Sequence, residues 1–220
     1  SKAIEFDTGM GLVNLADEYE RLCARDLAGE MEAENLSRRK RVQLEDAMVA
    51  LDLSVVHEDQ DSVATSVSFR HLSLLAQVKP EDEAVWDSLR STGSIDQPTE
   101  ALKDRLIRMR SWIASEHFPD EMRITLLEAP SAAALNELTV DQRKVLVALE
   151  TNLRSAAWTA EGITEAFKST AAQAAVSMRD VYRASYALFM GTERGPRLAP
   201  ILANCDREAM VELVRRSQVV

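Results

Sequence analysis

Apolar side chains recur along most of the chain at steps of three and four residues, the spacing that places them on one face of an α-helix. Segments 12–28 and 42–53 show this spacing first, with polar residues between the apolar ones. No segment shows the strict alternation of apolar and polar residues that is typical of a half-buried β-strand. The pattern therefore predicts an all-α protein, a multi-helix bundle.

Residues that start or stop helices divide the rest of the chain. Ser62 is a suitable N-cap for a helix over 63–77, Thr139 and Gln142 form a capping box, and Gly191 supplies a left-handed helix end. These and similar signals predict about ten helices with short connections. Three further helices are predicted in the middle of the chain: one that starts at Pro80, one at 98–114 and one between Pro119 and Pro130. Four more are predicted after the capping box: one at 159–175, one after a second capping box of Ser177 and Asp180, a short one after Gly195-Pro196, and one from Asp206 to about 216.

A polar break at 57–62 separates the first helices from the others and predicts a division into residues 1–60 and 61–220.

The amino-acid composition also favours a helical protein. Only 7 glycines and 6 prolines occur in 220 residues, too few for the many tight turns of a β-sandwich or β-barrel.

The sequence predicts no catalytic residue and no metal site. The histidines and cysteines are too widely spaced for the usual ligand patterns; they are His57, His71, His117, Cys23 and Cys205. One Asp-Thr-Gly tripeptide lies at 7–9, but aspartic proteases need two facing carboxylates, so we interpret it as a turn. No glycine-rich phosphate loop and no nucleophile elbow occurs.

The cysteine content and the hydropathy of the chain indicate in which cellular compartment we expect the protein. Cys23 and Cys205 are too few and too far apart for a disulfide framework, and we expect reduced thiols in a cytoplasmic protein. No stretch approaches the roughly 18 apolar residues of a membrane span. We therefore expect no membrane partner.

The formal net charge of −10 is unusual for a protein that binds nucleic acid, because phosphates attract basic surfaces. Local clusters of cations can still provide such a surface. Residues 38–41 are four consecutive cations, and Lys103 and Arg110 share one face of the predicted helix 98–114. Trp112 and the pair Phe69-Arg70 add aromatic surface on which unpaired RNA bases can stack. The alternatives are a solvated helix start for 38–41 and core packing for the aromatic rings.

Two segments resemble class I lysyl-tRNA synthetases. Residues 186–204, followed by Asp206-Arg207, resemble the C-terminal end of that family, and the most distinctive part is Gly-Thr-Glu-Arg-Gly-Pro-Arg-Leu at 191–198. Residues 2–19 resemble the family's segment shortly after its second ATP-binding signature. Weaker matches follow in the family's order at 68–72 and 106–112.

The resemblance implies a fold and a role. It implies an α-helical cage at 61–220 that reads the anticodon of tRNA(Lys), and a segment at 1–60 that contacts the tRNA stem. In the family, a Rossmann domain of the same polypeptide binds ATP and lysine and attaches lysine to the tRNA. Neither ATP-binding signature occurs here, so we expect no aminoacylation by this chain alone, no cofactor of its own, and no DNA or membrane partner.

Arg194 and Arg197 flank Gly195-Pro196 within the most distinctive match. A tight turn there can present both guanidinium groups to a phosphate or to a base edge. Equally, each can pair with Glu193 or with carbonyls at a helix end. A rival hypothesis for the whole chain is a synthetase-derived helical scaffold that binds a protein, which predicts a broad apolar patch and binding that is insensitive to salt.

Overall fold

The structure, a computed structural model, describes residues 9–33, 35–54 and 67–218. Within these ranges all regular structure is helical, which confirms the all-α prediction. One 3-10 turn lies at Asp120–Met122. The α-helices are α1 (Met10–Cys23), α2 (Leu27–Met31), α3 (Arg38–Ser54), α4 (Phe69–Val78), α5 (Asp82–Ser91), α6 (Glu100–Ile113), α7 (Ala132–Asn136), α8 (Val140–Ser155), α9 (Ala160–Ala174), α10 (Met178–Met190), α11 (Leu198–Ala203) and α12 (Arg207–Ser217).

The chain forms two compact units. The first comprises Ser1–Ala76 and Asp82–Phe118, and the second comprises Gln77–Glu81 and Pro119–Val220. The predicted boundary at residue 60 lies outside the described residues, and the division into 1–60 and 61–220 stays a prediction. The assignment of a stem-contacting role to 1–60 and of an anticodon-reading role to 61–220 stays a prediction.

Contacts of Glu20 explain why α1 belongs with α4 and α6. Its carboxylate accepts a hydrogen bond from the backbone N–H of Phe69 at 2.6 Å and from the Arg105 guanidinium at 2.8 Å. Arg105 also donates to the Val67 carbonyl at 2.9 Å. A half-buried carboxylate that is paired in this way ties three helices together, since leaving one partner unpaired would cost free energy.

Each unit has its own apolar core. In the first unit, buried side chains of α4, α5 and α6 pack together, and Leu75, Leu89 and Leu106 are fully buried. In the second unit, the core is formed by α8 to α12, with Phe167 and Phe189 fully buried at its centre. Both cores follow from the three- and four-residue spacing that the sequence shows.

Helix caps are largely where the sequence predicts them. Thr139 and Gln142 form the predicted capping box of α8, and the hydroxyl of Thr159 accepts the N–H of Gly162 at the start of α9. Asp206 caps α12, and Gly191 ends α10 in the left-handed conformation. The second predicted box is only half formed. Ser177 caps α10, but the carboxylate of Asp180 bonds the Ser177 hydroxyl and the Gln142 amide instead of the N-cap backbone.

Some boundaries differ from the prediction. The predicted helix 12–28 ends at Cys23, because Asp26 accepts the N–H of Gly29 and starts the separate α2. The helix predicted from Pro119 is only a 3-10 turn, and α7, capped by Ser131, was not predicted. The break at 57–62 and the Ser62 cap lie outside the described residues; α4 begins at Phe69.

Candidate nucleic-acid interface

An open cleft of about 760 Å³ lies in the second unit. Side chains of α9, α10 and the start of α11 form its walls. This volume is within the range that protein sites use to hold small organic groups. The lining residues that matter below are Glu161, Thr164, Lys168, Tyr182, Tyr186 and Arg197.

Two tyrosines one helical turn apart on α10 form the aromatic side of the cleft. The ring centroids of Tyr182 and Tyr186 are 6.4 Å apart, with 31° between the ring planes. The Tyr182 ring meets the fully buried Phe167 edge-on, at 5.4 Å and 85°. Both tyrosines are half-buried, so the core fixes the rings while part of each stays accessible.

The hydroxyl of Tyr186 holds the loop that follows α10. It donates to the carbonyl oxygen of Pro196 at 2.6 Å and lies 3.1 Å from that of Gly195. Burial raises the pKa of Tyr186 above its ordinary value, and the neighbouring Tyr182 adds to the effect. The hydroxyl therefore stays protonated and remains a donor at neutral pH.

Glycines make the tight course of this loop possible. Gly191 has a φ of 68°, a left-handed conformation that side chains other than glycine adopt at a cost. At Gly195 a Cβ atom would lie 3.2 Å from Cε1 of Tyr186 and 3.3 Å from Sδ of Met190. The hydroxyl of Thr192 donates to the Arg194 carbonyl at 2.9 Å and closes the turn.

The loop presents Arg194 and Arg197 as exposed cations. Glu193 forms an ion pair with Arg183, which decides against the alternative that Glu193 neutralises either loop arginine. Among the described residues, neither guanidinium has an ion-pair partner. Arg197 lines the cleft and occupies the N-cap position of α11 without a capping hydrogen bond from its side chain, whereas Arg194 lies in the same loop outside the lining.

The aromatic candidates of the first unit pack against each other. The rings of Phe69 and Trp112 are 5.5 Å apart and inclined by 51°, and Trp112 meets Phe118 edge-on at 4.8 Å. Both Phe69 and Trp112 are half-buried against the first core. The structure thus places these two candidates together in one cluster, and whether their exposed parts stack on bases stays a prediction.

Three cationic candidates of the first unit have carboxylate partners. Arg70 pairs with Asp17 at 2.6 Å and Lys103 with Glu100 at 2.7 Å. Arg110 pairs with Asp82 at 3.0 Å and donates to the Ala76 carbonyl at 3.1 Å. A phosphate would have to compete with these partners, so the geometry favours the loop arginines over these three as RNA contacts; a role for all five stays a prediction.

Several lining residues of the cleft were not predicted from the sequence. The sequence analysis placed α9 and α10 without considering their cleft-lining side chains. The lining residues missed in this way are Glu161, Thr164, Lys168 and Tyr182. The sequence did offer one signal, because Tyr182 and Tyr186 are an aromatic pair at four-residue spacing on a helix whose buried face is apolar except for Ser185. Such a pair lies at the edge of a core and keeps an accessible face.

The described part of the chain holds no group of three or more His, Cys, Asp or Glu side chains placed to bind a metal ion. The helices described here also lack any segment both long and apolar enough to cross a bilayer.

Comparison with known proteins identifies the family. The sequence profile of the anticodon binding domain matches residues 73–216. The chain belongs to the anticodon-binding domain family. The match spans α5 to α12 together with most of α4, and it therefore includes the cleft and the arginine loop.

The most informative relatives are lysine–tRNA ligases of archaea. The chain is 24% identical over 215 residues to that of Thermoplasma volcanium, 28% over 222 residues to that of Thermococcus kodakarensis, and 27% over 225 residues to that of Pyrococcus horikoshii. Each alignment covers 98% of this chain but only 39%, 40% and 40% of the respective relative. The resemblance to lysyl-tRNA synthetases is thereby confirmed, and the chain spans about two-fifths of the length of these relatives.

Proposed function

We propose that this chain binds tRNA(Lys) and recognises its anticodon. The observation that carries the proposal is the anticodon-binding domain over residues 73–216, in a chain whose relatives are lysine–tRNA ligases. The domain family indicates that binding is through the anticodon, and the name of the relatives indicates that the tRNA is the one for lysine.

The geometry of the second unit supports this proposal. An anticodon loop presents unstacked bases and a bent phosphate backbone, which proteins bind with aromatic faces and guanidinium groups. The cleft offers both, since Tyr182 and Tyr186 line it and Arg197 opens onto it. Arg194 and Arg197 have no carboxylate partner among the described residues, so no ion pair has to break when phosphate approaches.

The proposed role needs no cofactor in this chain. The names of the longer relatives describe the ligation of lysine to tRNA, and the family resemblance assigns lysine and ATP to a Rossmann domain. We propose that such a domain is the functional partner of this chain, which contributes tRNA recognition. Binding should therefore be the same with and without ATP and lysine.

A helical scaffold for a protein partner is the second candidate, and one feature favours it. Along α3, Val42, Val49 and Leu53 are exposed to 47%, 58% and 79%. They recur at seven- and four-residue steps and form an apolar stripe on the helix surface. A protein partner on this stripe would bind through apolar contacts that salt does not weaken.

Filter binding separates the two candidates. The 220-residue chain is titrated with tRNA(Lys) and with a copy in which the three anticodon bases are changed, at about 50 and about 200 mM salt. We expect tighter binding of the unchanged tRNA at both concentrations and an affinity that falls with salt. Equal binding of the two tRNAs, or none by the folded chain, would contradict the proposal and favour the scaffold.

A further inference from the structure

We propose that Arg183 is a positioning residue for RNA binding. It forms an ion pair with Glu193, and this pair holds the loop 191–197 in one conformation. In that conformation the loop presents its two exposed arginines, Arg194 and Arg197, to phosphate groups of the RNA. The inference rests on the proposed function, and it adds a side chain outside the cleft lining and the way in which that side chain controls affinity.

Two side chains of α10 attach the loop to the same side of the helix. Arg183 and Tyr186 are three residues apart, a spacing that places them next to each other on the helix surface. The Arg183 guanidinium donates to the Glu193 carboxylate. The Tyr186 hydroxyl bonds two carbonyl oxygens farther along the loop, those of Gly195 and Pro196. The loop is therefore attached to α10 at two points.

Each exposed arginine of the loop directly follows an attached residue. Arg194 follows Glu193, whose carboxylate the ion pair attaches to α10. Arg197 follows Pro196, whose carbonyl oxygen lies 2.6 Å from the Tyr186 hydroxyl. The two attachments thus fix the backbone next to each guanidinium group, and the loss of one attachment frees the arginine beside it.

The ion pair is suited to control binding without controlling folding. The side chains of Arg183 and Glu193 are 38% and 71% exposed, and ion pairs with this exposure contribute little to stability. A loop that is already ordered loses less conformational entropy when its ligand binds. Removal of the pair should therefore weaken RNA binding and leave the unfolding of the chain almost unchanged.

Two other roles of this pair predict an effect of the opposite sign. Glu193 directly precedes Arg194, so a carboxylate that acts only through its charge would repel phosphate, and its removal would strengthen binding. If Arg183 were itself a phosphate contact, removal of Glu193 would release it and would again strengthen binding. A positioning pair differs from both, because removal of its acidic partner weakens the binding of a polyanion.

The test compares variants of the two partners. Affinity for tRNA(Lys) is measured by filter binding with the wild-type chain, Arg183→Gln, Glu193→Gln and the conservative replacement Arg183→Lys. Glu212→Gln is the matched control, because Glu212 forms an exposed ion pair with Arg215 on α12, and neither side chain lines the cleft. Thermal melts establish that each variant folds.

We expect Arg183→Gln and Glu193→Gln each to weaken binding by about threefold at about 50 mM salt. Arg183→Lys should retain most of the wild-type affinity, and Glu212→Gln should bind like the wild type. The differences should shrink at about 200 mM salt, because salt screens the ion pair. Any outcome other than weaker binding by both glutamine variants would overturn the proposal, and the proposed function would stand as long as the wild-type chain binds.

Digestion by trypsin gives a second readout that needs no RNA. Trypsin cleaves after arginine, so the rate of cleavage between Arg194 and Gly195 reports how often the loop opens. We expect this bond to be cut about threefold faster in Arg183→Gln, whose loop sequence is unchanged, and at the wild-type rate in Glu212→Gln. Equal rates in all three proteins would overturn the proposal. If the wild-type chain binds no tRNA, the proposed function is wrong, and the cleavage rates still decide whether the pair holds the loop.

Discussion

Tyr186 links the core of the second unit to the arginine loop, since its ring lines the cleft and its hydroxyl bonds the loop carbonyls. The loop itself contributes few buried apolar side chains. Its conformation therefore depends on a few hydrogen bonds and on its glycines. Changes to these groups should affect loop geometry and RNA binding together.

Removal of one hydroxyl tests this dependence. Tyr186→Phe should lower the free energy of unfolding by about 1 kcal/mol, because the carbonyls of Gly195 and Pro196 lose their donor. Urea unfolding measures the change. Tyr182→Phe is the matched control, since no described residue accepts a hydrogen bond from the Tyr182 hydroxyl, and it should be nearly neutral. Equal effects of the two variants would show that the hydroxyl bonds do not hold the loop.

The end of α10 gives a second prediction at this scale. Gly191→Ala should destabilise the chain by about 1 kcal/mol, because alanine is strained in the left-handed conformation while the nearest atom, Cδ1 of Leu127, leaves room at 3.4 Å. Gly191→Asn should cost less, since asparagine tolerates this conformation better. Thermal unfolding compares the three proteins, and an alanine variant as stable as wild type would contradict the conformational explanation.

At the residue scale the sequence predicted part of the site. Arg194 and Arg197 were identified because a distinctive motif contains them, and the structure shows both exposed. Tyr182 and Glu161 were not identified, because nothing in the sequence shows which half-buried side chains of α9 and α10 meet around a cleft. The sequence also did not show which cations form ion pairs. Arg110 resembles a free cation in the sequence, but its partner Asp82 is 28 residues away.

At the scale of elements, α8 and α10 begin side by side and share polar contacts. The Gln142 amide donates to Asp180 at 2.9 Å, and the Ser177 hydroxyl bonds the same carboxylate at 2.5 Å. Ser177 first and Gln142 second lower the pKa of Asp180 below its ordinary value of 3.8. Stability from this carboxylate is therefore present above pH 3.8 and is lost as the pH falls through the lowered pKa of the folded state.

This linkage predicts a pH dependence that one variant isolates. Wild type should unfold at a higher temperature than Asp180→Asn at neutral pH, because a charged acceptor makes stronger hydrogen bonds and suits a helix N-terminus. The difference should disappear only on acidification below the lowered pKa of this carboxyl group in the folded state. Thermal melts of both proteins from neutral to acidic pH measure it. A difference that persists in acid would mean that shape, and not charge, matters at position 180.

Helix prediction succeeded where caps and apolar spacing agreed. The predicted starts of α6, α8, α9 and α12 agree with the structure to within two residues. The five-residue helices α2 and α7 are too short to show an apolar repeat, so only their caps, Asp26 and Ser131, could have predicted them. The hydrogen bonds of Glu20 to α4 and α6 join residues 49 and 85 positions apart, and no local sequence pattern reveals such contacts.

At the scale of the whole molecule, a net charge of −10 has to be reconciled with RNA binding. Most described cations of the second unit have carboxylate or carbonyl partners, and the arginine loop is an exception. RNA attraction should therefore be local and moderate. We expect few phosphate contacts and a correspondingly shallow dependence of affinity on salt.

Removal of one loop charge should change that salt dependence. Arg194→Ala should weaken binding to unchanged and anticodon-changed tRNA alike and reduce the slope of log affinity against log salt by about 1. Arg194→Lys, which keeps the charge, should restore most of the slope. Filter binding over a range of salt concentrations measures this. A loss confined to the unchanged anticodon would instead show that Arg194 reads a base.

The most direct test of the central claim, recognition of the anticodon of tRNA(Lys), is competition by an isolated RNA hairpin. A hairpin with the anticodon stem and loop of tRNA(Lys) is added to the complex of the chain with labelled tRNA(Lys), beside a hairpin whose anticodon bases are changed. We predict that the unchanged hairpin displaces the tRNA and that the changed hairpin does so at least about tenfold more weakly. Displacement by neither hairpin, with displacement by the remainder of the tRNA, would contradict the account.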